Sequence, residues 1–291
     1  MSLESKDHVL LDALTEERWA LRAMAGADAL DARHVVLLAS QRDGAAPAAM
    51  TWADRFAQAA GLRLRIAYHP PGEADAVNAA PSDRSAIDEA VERILAEAAQ
   101  PGVELLIAGT LPVAAGTAQA ALAQALLRRC CRPLLFVGAP SEQPLVMAAT
   151  DCSDPALPVL RAAWQMAAVL GNQIVLVHNI DQTGSQFAER IGMPLSPELA
   201  DVLALRSREW LESAAAISDI VITRDVDNAH GVLSAADRLD AGLLVVGVKP
   251  ADQAPHGTAV QVLLRARRSV LFVPLARAGR HVTDPSGTAQ N

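Results

Sequence analysis

Apolar residues along this chain fall into two alternating patterns. Short, mainly apolar runs occupy residues 34–39, 103–108, 133–137, 145–150, 173–178, 220–224, 243–246 and 269–273, as strands do when a parallel sheet is covered on both faces. Between them lie residues 48–60, 85–99, 119–129, 154–170, 196–216, 229–239 and a segment opened by Gly257 and Thr258. There the apolar positions recur every three or four residues, which predicts amphipathic helices. In residues 85–99 the stripe is Ile87, Val91, Ile94, Leu95 and Ala98; after residue 154 the inward set is Leu157, Leu160, Trp164 and Ala167 or Ala168. Residues 62–68 instead alternate Leu-Arg-Leu-Arg-Ile-Ala-Tyr, so that strand has one wetter face or lies near a sheet edge.

The order recurs. Arg132-Pro-Leu-Leu-Phe-Val137 answers Arg268-Ser-Val-Leu-Phe-Val273, and Leu106-Ile-Ala-Gly109 answers Leu244-Val-Val-Gly247. The reading is an α/β fold of two tandem doubly wound parallel-sheet domains, at 32–139 and 144–275, joined by the linker Gly138-Ala-Pro-Ser-Glu-Gln-Pro144. Where the second half has room for helix, strand and helix before its glycine loop, the first has room for one crossover helix. Residues 1–31 precede the first strand and carry a short helix near Thr15 to Gly26, whose Trp19 and Leu21 or Met24 suit a clasp on the body, with a partner-binding helix as the alternative. Residues 276–291 are small and polar and read as a flexible tail.

Composition narrows the classes. Half the chain (51%) is apolar, but only 4 Trp, 4 Phe and 1 Tyr occur, so the core is built from Leu, Val and Ala. A formal charge of −8 argues against a nucleic-acid or anionic-membrane surface, which needs clustered Lys and Arg. Cys130, Cys131 and Cys152 form neither a C-x-x-C pair nor a metal-ligand spacing, and an odd count without a framework points to a reducing compartment. The start lacks a basic-then-apolar leader profile, and no apolar run approaches the roughly 18 residues of a membrane span. These observations set the expectation of a cytoplasmic protein.

The stretch that carries chemistry is Gly242-Leu-Leu-Val-Val-Gly247, a loop, and Gly257-Thr258 at a helix start. Ligands of open parallel sheets bind beyond the carboxyl ends of strands, where helix N-termini present free N–H groups. With Asp151 ending one strand run and His178-Asn179 ending the next, residues 144–274 resemble the universal stress protein family. Its nucleotide-binding members carry Gly-x-x-Gly, nine residues and Gly-Ser/Thr at this loop, an aspartate after the first strand and a His-Val pair after the second.

The resemblance implies a sheet order 3-2-1-4-5, the first half lacking edge strand 3. It implies that Asp151 meets the adenine or ribose of a nucleotide, that the backbone of Asn179 lies against adenine, and that Gly247, Gly257 and Thr258 hold phosphate. Lys249 and His256 would add positive charge. It also implies pairing through the last strands, which here would join the two halves as an intramolecular pseudo-dimer, with a further homodimer open.

The loop departs from the family pattern in two ways. Pro250 replaces the second glycine and has no N–H to offer. Only six residues, not nine, separate it from Gly257, too few to wrap a triphosphate in the family's way. In the first half Gln41 stands for the aspartate and Gly109-Thr-Leu-Pro112 repeats the proline. Counting back from Pro133 puts Gly116 about a turn too early to open the helix in the family's register, so no nucleotide is expected there.

Each residue keeps a plainer alternative. Asp151 suits a helix cap, and Gly257-Thr258 suits an ordinary strand-to-helix loop. His178 suits a packed, hydrogen-bonded side chain. Cys130 and Cys131 beside Arg128, Arg129 and Arg132 suit either apolar filler or a thiol of lowered pKa. No Ser-His-Asp arrangement, metal-ligand pair or Walker loop is evident. The expectation is a noncatalytic stress-response module whose partner is a small-molecule ligand or a protein, with a mononucleotide such as AMP, or a phosphate-bearing metabolite, in the second half. An ATP-binding, slowly hydrolysing protein and a ligand-free scaffold remain the alternatives.

Overall fold

A computed structural model describes residues 34–39, 46–68, 84–141, 143, 145–150, 157–179, 219–223, 225, 227–248 and 257–275. The expected helices at 15–26 and 196–216 lie outside these residues. In chain order the elements are β1 (His34–Ala39), α1 (Ala46–Ala60), β2 (Arg63–Tyr68), α2 (Arg84–Ala98), β3 (Val103–Thr110), α3 (Ala118–Arg129) and β4 (Leu134–Val137). There follow β5 (Leu145–Thr150), α4 (Leu157–Leu170), β6 (Gln173–Asn179), β7 (Asp219–Thr223), α5 (Asn228–Arg238), β8 (Leu243–Val248), α6 (Thr258–Arg265) and β9 (Ser269–Pro274).

The strands form one sheet in the order β2-β1-β3-β4-β9-β8-β5-β6-β7. Within each half the described pairs are all parallel, whereas β4 and β9 run antiparallel. Renumbered within its own half, β9-β8-β5-β6-β7 is 5-4-1-2-3, the order the sequence implied. The first half supplies 2-1-4-5, with no strand 3 among the described residues. Among the described residues the alternating β2 ends the sheet.

At the seam Leu134 pairs with Phe272, Leu135 with Leu271 and Phe136 with Val270. Every residue of β4 is buried, because helices cover both faces. Phe136 and Phe272 meet edge to face with centroids 6.0 Å apart, on the side where α2, α3, α5 and α6 pack. Leu135, Val137, Leu271 and Val273 point to the other side, under α1 and α4. Past the strand, the Gly138 N–H donates to Ser269 Oγ at 3.1 Å and the Ala139 N–H to Arg267 O at 2.7 Å. A Cβ on Gly138 would collide with the backbone of Arg267 and Arg268, so only glycine lets the two chains come this close. Arg268, in turn, pairs with Asp240 at 2.5 Å.

One helix expectation needs correction. In α4 the buried stripe is Val159, Leu160, Ala163, Met166 and Ala167, so Leu160 and Ala167 face inward as expected, whereas the helix is rotated enough to leave Trp164 only half-buried. In the first half, Thr117 caps α3 directly, its hydroxyl accepting from the Ala120 N–H at 3.1 Å. Gly116-Thr117 thus opens a helix that begins about one turn earlier than its counterpart, α3 having 12 residues and α6 8, which is the offset found by counting back from Pro133.

The seam should be the weak point of the whole fold. Phe136→Ala is expected to cost about 3–5 kcal/mol and Gly138→Ala about 1–3 kcal/mol. Each should move guanidinium unfolding of both halves together. A tryptophan signal from α1 that holds its midpoint while the rest shifts would contradict this.

Candidate functional site

Because the strands of each half run parallel, their carboxyl ends collect along one edge of the sheet. In the second half the chain leaves β5 toward β6 on one side and returns through β8 on the other, which opens a crevice at that switch. A cavity of about 220 Å3 lies there. From the sheet it is lined by Ala149 and Thr150 of β5, Asn179 of β6, and Val246 and Gly247 of β8. Val159 of α4, Asn228 and Val232 of α5, Thr258 of α6 and Leu275 complete the lining.

Of the residues singled out by sequence, Asn179, Gly247 and Thr258 share this cavity, and Gly257 is the residue that caps α6. The Gly257 carbonyl accepts from the Val260 N–H at 3.0 Å, and no side chain caps the helix. Only the Thr258 and Ala259 N–H groups of α6 thus lack a helical partner, beside an exposed Thr258 side chain. Gly247 serves packing as well: a Cβ there would come 2.9 Å from Leu275 and 3.0 Å from Val159. Leu275 is held over it by a 2.8 Å bond from its N–H to Val248 O. Asp151 and Lys249 lie outside the described residues, as do Gln41, Pro250 and His256.

Asn179 is placed by its side chain. Its Oδ1 accepts from Thr223 Oγ1 at 2.8 Å and from the Asp225 N–H at 3.0 Å. Its Nδ2 donates to Asp225 O at 3.1 Å and to Asn228 Oδ1 at 2.5 Å. A Cβ on Gly231 would lie 2.5 Å from Asn179 Oδ1, so a glycine in α5 makes room for it. One carboxamide therefore ties β6, the turn after β7 and the start of α5 together. Reading the sequence missed Thr150, Asn228, Val232 and Leu275. Only Asn228 had a signal, the Asp227-Asn228 pair at a helix start.

The model of the universal stress protein family matches residues 145–274. Residues 145–274 belong to the universal stress protein family. No curated protein sequence matches the chain. Among solved structures, a universal stress protein from Archaeoglobus fulgidus is 13% identical with a TM-score of 0.54, over 84% of this chain and 97% of that one. A putative universal stress protein from Pseudomonas aeruginosa is 19% identical (TM-score 0.48, 90% and 88% covered). Another from Archaeoglobus fulgidus, in complex with dAMP, is 23% identical over 46% of this chain and 98% of its own (TM-score 0.27).

Around the universal stress protein domain's cavity, other candidates resolve. His178 is half-buried, its Nδ1 3.0 Å from Thr150 O, the packed and hydrogen-bonded reading. No group of three metal-ligating side chains occurs among the described residues, and none of their helices is long and apolar enough to cross a membrane. Contrary to the sequence reading, Asp225, His230 and Ser234 do fall in line. Asp225 Oδ2 lies 2.5 Å from His230 Nδ1, and His230 Nε2 lies 3.4 Å from Ser234 Oγ. His230 and Ser234 are exposed, the His230 side chain 56% accessible, and Asp225 is half-buried. The nearby Ala229 and His230 N–H groups are already taken by Asp227 Oδ1, so they are not free to hold an oxyanion.

Cys130, the C-cap of α3, is buried, and Cys131 is exposed. Burial pushes the Cys130 thiol up, against the opposing Arg132 N–H and guanidinium. The neighbouring arginines therefore do not activate it. In a Cys152→Ser background, a thiol reagent should label Cys131 in the native protein and Cys130 only after unfolding; equal native rates would count against the packing described.

The Asp227 N–H and then His230 hold the Asp225 carboxyl below the usual carboxylate range; Arg265 foremost, with the His230 and Ala229 N–H groups, does so for Asp227. Groups with depressed folded pKa values stabilise above their unfolded pKa, near 3.9 for Asp, and lose that contribution as pH falls through the folded value. Melting temperature should thus hold between about pH 7 and 5 and fall below about pH 4. Asp227→Ala, which removes the α5 cap, should cost about 0.5–2 kcal/mol at neutral pH and flatten the acid limb.

Proposed function

We propose that the chain is a tandem universal stress protein of the cytoplasm. In this reading it is a noncatalytic, ligand-responsive module in stress response, and its second half holds a mononucleotide or a phosphate-bearing metabolite of similar size. The observation that carries this is the cavity shared by Asn179, Gly247 and Thr258, at the switch point of the domain that matches the family. Free N–H groups and the partial positive charge at the start of α6 suit one phosphate. The loop before it, short by three residues and interrupted by Pro250, leaves too few backbone donors for three.

AMP should therefore bind at least as tightly as ATP, without appreciable ATP turnover. Calorimetric titration of AMP, ATP and inorganic phosphate against wild type and two variants tests this. Asp151→Ala should weaken the nucleotides severalfold and leave phosphate alone; Thr258→Val should weaken all three by about tenfold or more, the loss of one hydrogen bond to a charged group. Absence of saturable binding at millimolar ligand would leave the scaffold reading in its place, and steady ATP hydrolysis the slow-hydrolase reading.

A further inference from the structure

We infer that Asn228 makes the second-half cavity selective for a nucleobase that presents a keto oxygen, rather than an amino group, at its Asn179 end. This rests on the mononucleotide reading and narrows it.

The inference begins with backbone groups whose polarity is fixed. The Asp225 N–H can only donate, and it meets Asn179 Oδ1 at 3.0 Å; the Asp225 carbonyl can only accept, and it meets Asn179 Nδ2 at 3.1 Å. These two contacts fix which way the Asn179 amide faces. Both of its N–H bonds and two bonds to its oxygen are then used within the fold, because Thr223 and Asn228 take the remaining places. Asn179 therefore has nothing left in its side chain to offer a ligand.

The orientation passes to Asn228. Its oxygen must face Asn179 Nδ2, since the reverse would set one NH2 group against another at 2.5 Å. What Asn228 retains is its own Nδ2, for which the described residues supply no partner. Asn228 lines the cavity with Val232 beside it and Val246 from the sheet, apolar surfaces that suit a planar ring.

Sheet order places the base. In β8-β5-β6, Gly247 and Asn179 lie on opposite sides of β5. A phosphate at the start of α6 beside Gly247 and Thr258 therefore directs the base toward Asn179 and Asn228. A keto oxygen there accepts the Asn228 N–H. An amino group there sets donor against donor and leaves a desolvated N–H unpaired, which is disfavoured by about tenfold or more.

IMP and AMP share ribose and phosphate and differ at the base edge, so their affinity ratio on the full chain reads this contact. Wild type should bind IMP about tenfold tighter than AMP. Asn228→Asp keeps an oxygen toward Asn179 and replaces the donor by an acceptor. Its added charge acts alike on both ligands, so the ratio should reverse toward AMP. Asn228→Ala should bring the ratio to about one. Circular dichroism checks that each variant is folded.

A wild-type ratio of one, a preference for AMP, or a preference that survives Asn228→Ala would overturn the inference and leave mononucleotide binding standing. Failure of both ligands to bind would overturn the mononucleotide reading, and this inference with it.

Discussion

The antiparallel pairing of β4 with β9 is the constraint on which the rest of the molecule depends. Each half ends in a strand whose two faces are apolar, and either strand left at an edge would present unpaired N–H and C=O groups beside a hydrophobic surface. Pairing the two removes both edges at once and joins the nine strands of the described residues in one sheet. The pairing also sets the helical layers, because α1 contacts α4 on one face and α3 contacts α6 on the other. Side chains of β4 and β9 alternate between the two resulting cores, so neither layer could form in full from one half alone. The outer edges are left to β2, with its alternating arginines, and to β7.

That same arrangement positions the site without being part of it. A strand order that reverses at β5 leaves a crevice at the carboxyl ends, and two helices begin there. What shapes the crevice is a polar knot: a single asparagine at the end of β6 satisfies the backbone of the turn after β7 and orients the first residue of α5. Polar groups withdrawn from water are costly unless their bonds are made, and the half-buried Asn179 makes four. The position the family resemblance gives to valine is here a structural tie.

The halves illustrate how equivalent sequence features acquire different surroundings. Gly116-Thr117 and Gly257-Thr258 both open helices, yet in one the threonine is the cap and its hydroxyl is occupied, while in the other the glycine is the cap and the threonine lines the cavity. One residue of offset decides whether the hydroxyl serves the helix or faces the crevice. Cys130 is a similar case. Its arginine neighbours suggest an activated thiol, but its place at the end of α3 buries it, and desolvation outweighs their charge.

Read alone, the sequence determined the strand–helix alternation, the repeat, the buried character of the central strands and the wetter one at 62–68. Each of these rests on periodicity and on residues close in the chain. It also located the switch-point loop and brought Asn179, Gly247 and Thr258 forward as site residues, because glycines and helix starts leave local signals. It could not show that Asn179 spends its side chain on Asp225 and Asn228, that Leu275 fills the space beside Gly247, or that Asp225, His230 and Ser234 fall in a row. It also turned Trp164 of α4 inward, where the helix leaves it half-buried. Those outcomes depend on segments distant in the chain being brought within hydrogen-bonding or van der Waals reach, or on helix length and rotation set by packing. Only the tertiary structure decides such contacts, since their energies vanish until the strands have paired.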